Sequence, residues 1–259
     1  MPYVPLAHAG RIAYAERGER QTARPSALCI HGAGASGAIW SLALAQLARH
    51  NHTVAIDLPG HGASSDEGAA FDGSSALSLV RYRDAAGELA GALCLGPSVL
   101  VGHSLGALVA IEAALAWPDK VRALVLCGAG PRLPPPAPLL RLLREEPARA
   151  ADWLAEHGLS PQARPTIKRG FAAASAAASA EVALADFAIV AATDLGGRLG
   201  GVSCPITWLD GADDRIVPSD SPGMAERPGA IVTLPNVGHM VPVEAPAAIA
   251  EAVRGATGA

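Results

Sequence analysis

Several things are missing from this chain, and each absence narrows its class. Lys120 and Lys168 are the only lysines. The arginines form no basic patch, and with a net charge of −4 and an isoelectric point near 6.0 nothing favours nucleic acid as a partner. No uninterrupted apolar run reaches the roughly 18 residues a membrane span requires. This holds although half the residues are apolar and mean hydropathy is +0.27, alanine supplying much of both. The opening MPYVPLAHAGRIAY lacks a basic segment followed by an apolar one, so no secretory signal is read there and a cytoplasmic location is expected. Cys29, Cys94, Cys127 and Cys204 are widely spaced, without Cys-x-x-Cys or Cys/His ligand spacing. They are expected to be buried structural thiols, with no disulfide and no metal. The loop GAGASG lacks the Lys-Ser/Thr of a phosphate loop and is a weak dinucleotide signature, so no cofactor is expected.

What is present is a rhythm. At 259 residues the chain suits one large domain, or a domain with an insertion. Short apolar runs alternate with longer stretches of helical spacing: RIAYAER (11–17, expected at a sheet edge), SALCI (26–30), a helix over 39–50, HTVAIDL (52–58), a helix over 77–95, SVLVG (98–102), a helix over 105–116, and VRALVLCG (121–128). Near-continuously apolar strands between helices predict an α/β fold with a mostly parallel sheet covered on both faces. After Gly130 the rhythm breaks. PRLPPPAPLL (131–140) predicts extended chain, and alanine-rich helices are expected over 147–156, 167–178 and 181–192. Strand rhythm resumes at CPITWLD (204–210) and AIVTLP (230–235), with a closing helix from about Pro246. Residues 131–199 thus read as a helical cap inserted into a core of 1–130 and 200–259, since a plain crossover seldom needs about 70 residues.

One serine stands out within this pattern. Ser104 sits between a predicted strand and a predicted helix, in Gly102-His103-Ser104-Leu105-Gly106. A G-x-S-x-G in that context forms a sharp turn that exposes the hydroxyl, and side chains two residues away on either side would collide. A serine needs a base, usually a histidine held by a carboxylate. Downstream, WLDGADDRIVP (208–218) places acids in the turn after one strand, and LPNVGHMVPVEAP (234–246) places His239 after the next. Both turns are predicted at the carboxyl edge of the sheet, beside Ser104.

Taken together, HGAGAS, DLPGHGAS, GHSLG, GADDRIVP and GHMVPVEAP resemble the motifs of the α/β-hydrolase superfamily over nearly the full length. The resemblance implies a sheet of about eight strands, a helical cap, and a triad of Ser104, Asp214 and His239, with Asp213 the rival acid. Asp210 reads as a strand end. It also implies an oxyanion hole made by the backbone N–H groups of Ala33 and Leu105. His31, Gly32, His103, Trp153, Phe171, Phe187 and Met240 are candidates for the substrate pocket. His31, His61 and His103 read as scaffold or pocket wall, and His50, His52 and His157 as surface or helix-end residues. His8 is expected in an N-terminal strand, Glu67 and Asp72 in a solvated loop, and Glu244, with Pro246, as a brace for the histidine loop or the start of the last helix.

These residues predict acyl transfer to water, without cofactor, on a small-molecule ester with a small to medium apolar acyl chain. Alternatives of the same chemistry stay open: a carbon–carbon bond hydrolase of aromatic ring-cleavage products, a lactonase, a thioesterase, or a perhydrolase-type side activity. The carbon–carbon hydrolases usually carry methionine where this chain has Leu105. A ligand receptor on the same fold would be recognised by a broken triad, and every expected residue is present. The sequence leaves monomer and homodimer equally open.

Overall fold

The computed structural model describes residues 2–7, 9–21, 23–65, 78–176 and 178–257. The positions expected for His8, Glu67 and Asp72, and the helix start at Leu77, lie outside these residues. The strands are β1 (Tyr3–Leu6), β2 (Gly10–Arg17), β3 (Ala27–Ile30), β4 (Thr53–Ile56), β5 (Ser98–His103), β6 (Val121–Cys127), β7 (Ile206–Gly211) and β8 (Ala230–Leu234). The helices are α1 (Ser41–Leu47), α2 (Leu79–Ala92), α3 (Leu105–Ala116), α4 (Ala137–Glu145), α5 (Pro147–His157), α6 (Pro165–Ala176), α7 (Ala180–Ala192), α8 (Val241–Glu244) and α9 (Pro246–Thr257). The eight strands form one sheet in the order β1-β2-β4-β3-β5-β6-β7-β8. The pairs β1–β2 and β2–β4 are antiparallel and the rest parallel. This is the α/β-hydrolase fold.

The apolar strands are explained by two cores, one on each face. On β5, Leu100 joins the cluster with α2 and α3, while Val99 and Val101 join the one with α1 and α9. On β6, Leu124 and Leu126 alternate in the same way with Ala123, Val125 and Cys127. Helix α3 runs through the densest part, buried from Leu105 to Ala114, so it needs no polar face.

Four expectations are corrected. The 11–17 strand is internal, because Tyr3–Leu6 pairs outside it in the register Tyr3↔Ala13; Pro5 suits β1 to the edge. The proline-rich run ends in a helix, α4, whose first turn tolerates proline where no intrahelical donor is needed. His52 is buried rather than superficial, bonded to Ser26 and Glu16. Of the four cysteines expected to be buried, Cys94 is exposed at a left-handed turn with φ 51° and Cys204 is only half-buried. All four cysteines are free, and burial raises the thiol pKa of Cys29 and Cys127.

Between β6 and β7 lie α4 to α7. Helices α4, α5 and α7 share an apolar cluster of their own, with Leu139, Leu142, Leu143, Ala150 and Ala183 at its centre. Among the described residues no single helix is long and apolar enough to cross a membrane.

Asp210, at the end of β7, is buried against Arg227 through two hydrogen bonds of 2.8 and 2.6 Å. Arg227 also donates to the Ala129 and Met224 carbonyls and lies over the Trp208 ring. Removing one member of such a pair leaves a buried charge uncompensated. Arg227→Met is therefore expected to lower the urea-unfolding free energy by about 3–5 kcal/mol. Adding Asp210→Asn should recover part of the loss, and no recovery would contradict this account of the pair.

Candidate active site

The parallel register brings the candidate residues to one edge. Ile30 pairs with Gly102, His103 with Cys127, and Cys127 with Leu209. The loops after β3, β5, β7 and β8 therefore emerge side by side at the carboxyl ends of their strands, where α/β folds place ligands. Gly32, Ser104, Asp214 and His239 each lie in one of these loops.

Ser104 has φ 52° and ψ −117°, a backbone conformation that side chains other than glycine avoid. Its N–H bonds the Cys127 carbonyl at 3.1 Å, and its own carbonyl accepts from Ala107 at 2.9 Å. The flanking glycines answer to close approach. A Cβ at Gly106 would lie 2.2 Å from the Ile30 oxygen, and one at Gly102 would lie 2.4 Å from the Gly106 oxygen. The turn thus exists only because both flanks are bare.

His239 and Asp214 form a buried pair. The imidazole Nδ1 lies 2.9 Å from Asp214 Oδ2, while Oδ1 of the same carboxylate accepts the N–H groups of Ile216 and Val217 at 2.8 Å each. Burial works to raise the Asp214 pKa. The facing His239 and these hydrogen bonds outweigh it and hold the group below the usual carboxylate value. A carboxylate so held keeps its charge and fixes the proton of His239 on Nδ1, leaving Nε2 as the basic atom. Asp213 is engaged elsewhere, accepting from Ser160 Oγ at 2.6 Å. Glu244 braces the histidine loop by accepting the Gly238 and Ser160 N–H groups, both at 2.9 Å.

The loop after β3 holds its peptides tightly. His31 accepts the Leu58 N–H at Nε2, so Nδ1 carries the proton and donates to the Gly32 carbonyl at 2.9 Å. Ala35 N–H reaches the same oxygen at 3.2 Å. That carbonyl belongs to the peptide whose N–H is Ala33's, so both bonds orient and polarise the Ala33 donor. Asp57 anchors the far end of the loop through the Gly37 N–H at 2.7 Å. Among the described residues neither the Ala33 N–H nor the Leu105 N–H has a partner. Leu105 is the first residue of α3, where backbone donors are left free.

A cavity of about 730 Å3 opens over this edge. Ala33, Ser104 and His239 line it, together with Gly32, His103, Phe171, Phe187 and Met240. The other two expected wall residues are not among those lining it. His31 is fully buried and makes two hydrogen bonds, and Trp153 stacks on His157 with ring centroids 4.2 Å apart. No Asp, Glu, Lys or Arg is among the described residues lining the cavity. Sequence reading passed over Asp57, and also Asp186, the one charge beyond the first turn of the apolar helix α7. That isolation was its signal.

A sheet with this order, and a serine, a histidine–aspartate pair and free backbone donors at its carboxyl edge, define a hydrolase class. The alpha/beta hydrolase family model matches residues 27–252, and the chain belongs to that family. It is 29% identical over 209 residues to a pimeloyl-[acyl-carrier protein] methyl ester esterase of Chromobacterium violaceum, covering 75% of this chain and 78% of that one. Among solved structures, a hydrolase from Pseudomonas aeruginosa superposes with a TM-score of 0.83 at 26% identity, over 100% of this chain and 98% of the other. The enol-lactonase of Burkholderia xenovorans superposes with a TM-score of 0.85 over both full chains; at 19% identity this is a likeness of fold.

His103, the residue before Ser104, donates from Nε2 to the His239 carbonyl at 3.1 Å. Burial, with the nearby His239 adding to it, pushes its pKa down to about 3. The unfolded chain takes up a proton near pH 6.5 that folded His103 refuses until far lower pH, so its contribution to stability falls away below about pH 6.5. Wild type is expected to lose about 1 kcal/mol more urea-unfolding free energy than His103→Asn on going from pH 6 to pH 5. Equal losses would mean that His103 is already protonated in the folded protein.

Proposed function

We propose that the protein is a serine hydrolase that cleaves carboxylic esters of small to medium apolar acyl chains. The observation carrying this reading is the convergence of Ser104, the Asp214–His239 pair and the free Ala33 N–H on one cavity whose described lining holds no Asp, Glu, Lys or Arg. In the proposed reaction Ser104 Oγ attacks the ester carbonyl while His239 Nε2 takes its proton. Negative charge developing on the carbonyl oxygen is met by the N–H groups of Ala33 and Leu105. The protonated imidazole, steadied by Asp214, then gives its proton to the departing alcohol, leaving an acyl group on Ser104. Water deprotonated by His239 attacks that acyl-enzyme and releases the acid.

The cavity wall supports the choice of acyl group. Leu139, Leu154, Ile167, Phe171, Val182 and Phe187 line it from the helical segment, and an apolar surface of this kind rewards an uncharged chain. Residues 131–199 act, in this reading, as a cap over the core. The ester chemistry accords with the name of the Chromobacterium relative. Lactone, thioester and carbon–carbon bond cleavage would use the same residues and are separated by substrate. A cytoplasmic, cofactor-free enzyme is the setting that fits.

Against p-nitrophenyl esters from acetate to dodecanoate, wild type should turn over best with short or medium chains. Ser104→Ala and Asp214→Asn should each lose about 10⁴-fold or more in kcat. Asp213→Asn, whose partner is Ser160, should stay within about threefold of wild type. Failure of the wild type on every ester would overturn the esterase reading, and equal losses at positions 213 and 214 would overturn the assignment of the acid.

A further inference from the structure

Helix α7 lies directly on the loop after β3. Gly34 takes φ 61°, and a Cβ there would come within 2.8 Å of the Ala183 Cβ. One turn along the same face, Asp186 is fully buried and its carboxylate accepts three hydrogen bonds. Gly34 N–H and His61 Nε2 reach Oδ2 at 2.8 Å each, and the Tyr82 hydroxyl reaches Oδ1 at 2.6 Å. His61 Nδ1 lies 3.0 Å from the Pro59 carbonyl, so both ring nitrogens donate and the imidazole is held as a cation. Burial opposes that charge, but the bond to Asp186 and its negative charge, with Asp57 adding to them, raise the His61 pKa. The adjacent His31 ring, 4.8 Å away, stays neutral, its pKa pushed down by burial and by His61.

A carboxylate placed in an apolar helix is costly to desolvate, and a purely structural contact could be made with apolar side chains. Here the charge joins three separate elements, and one of them is the peptide that follows Ala33. The preceding peptide is already fixed by His31 and Ala35. The Asp186 bond therefore immobilises the second side of Ala33, a cavity-lining residue whose N–H has no partner among the described residues.

We propose that Asp186 is a positioning residue for catalysis: it locks the Ala33–Gly34 peptide so that the oxyanion donor is aligned only while α7 is docked on the core. This rests on the serine-hydrolase reading. Asp186 does not line the cavity and acts through the loop. The cap thereby becomes part of the catalytic apparatus, and its docking completes the hole.

The test compares wild type with Asp186→Asn, Asp186→Ala and, as a control, Val190→Ala, which trims buried packing of α7 and leaves the network intact. Reaction with an alkyl fluorophosphonate reports Ser104, His239 and the hole without depending on the identity of the ester. Both Asp186 variants should react about 10- to 100-fold more slowly, and Val190→Ala should stay within about threefold. With an ester substrate the same loss should fall on kcat, with KM within about threefold. Amide exchange over residues 31–38 should quicken in Asp186→Ala and stay unchanged in Val190→Ala. Should the Asp186 variants not fold, Tyr82→Phe, which withdraws one donor from the carboxylate, is expected to lower kcat by about 3- to 10-fold at constant KM. A folded Asp186→Ala reacting at the wild-type rate, or a loss confined to KM, would overturn the proposal alone. A wild type inert to the fluorophosphonate would overturn the hydrolase reading and this inference with it.

Discussion

The site depends on one unfavourable backbone conformation. Ser104 occupies φ 52° and ψ −117°, a region that costs a non-glycine residue about 1–3 kcal/mol. The surroundings leave the chain no alternative. β5 is buried on both faces and ends at His103, α3 is buried from its first residue, and the Cys127 carbonyl holds the Ser104 N–H between them. Relaxing the turn would mean withdrawing a core strand or a core helix. The strain is therefore paid by the sheet, and the hydroxyl is left at the cavity with a helix N-terminus directly behind it.

Histidines do much of the remaining work, in different protonation states set by their neighbours. His31 is neutral because its Nε2 must accept from Leu58, and its Nδ1 proton then aligns the peptide of Ala33. His103 is neutral because burial denies it a proton, and it steadies the backbone of His239. His61 is a cation because its two partners are both acceptors. Three imidazoles are thus each confined to a single role by hydrogen-bond geometry, His31 and His61 around the loop after β3 and His103 on the backbone of His239.

Much of this was legible in the residues. The elbow was readable because G-x-S-x-G falls between an apolar strand run and a helical run, and β5 and α3 fall where those runs predict, although the clash that demands glycine at 106 is with Ile30 of a neighbouring strand. The choice of Asp214 over Asp213 was what the family resemblance implied, and the geometry gives each acid a different partner. Other features were not local. The pairing of Tyr3–Leu6 outside β2 depends on a register that no periodicity specifies. Trp153 reads as a pocket aromatic, yet the orientation of α5 turns it onto His157. Asp186 reaches Gly34 across 152 positions of sequence, a contact set by the docking of α7 and by nothing within that helix.

The central claim is that the strained turn presents Ser104 to the carbonyl carbon while Ala33 and Leu105 receive the oxygen. The most direct measurement is a crystal structure of the protein after reaction with a short-chain alkyl phosphonate ester. The account predicts phosphorus bonded to Ser104 Oγ, its phosphoryl oxygen within about 3 Å of both N–H groups, and the alkyl chain against Phe171 and Phe187. A phosphoryl oxygen turned to solvent, or an adduct on any residue other than Ser104, would contradict it.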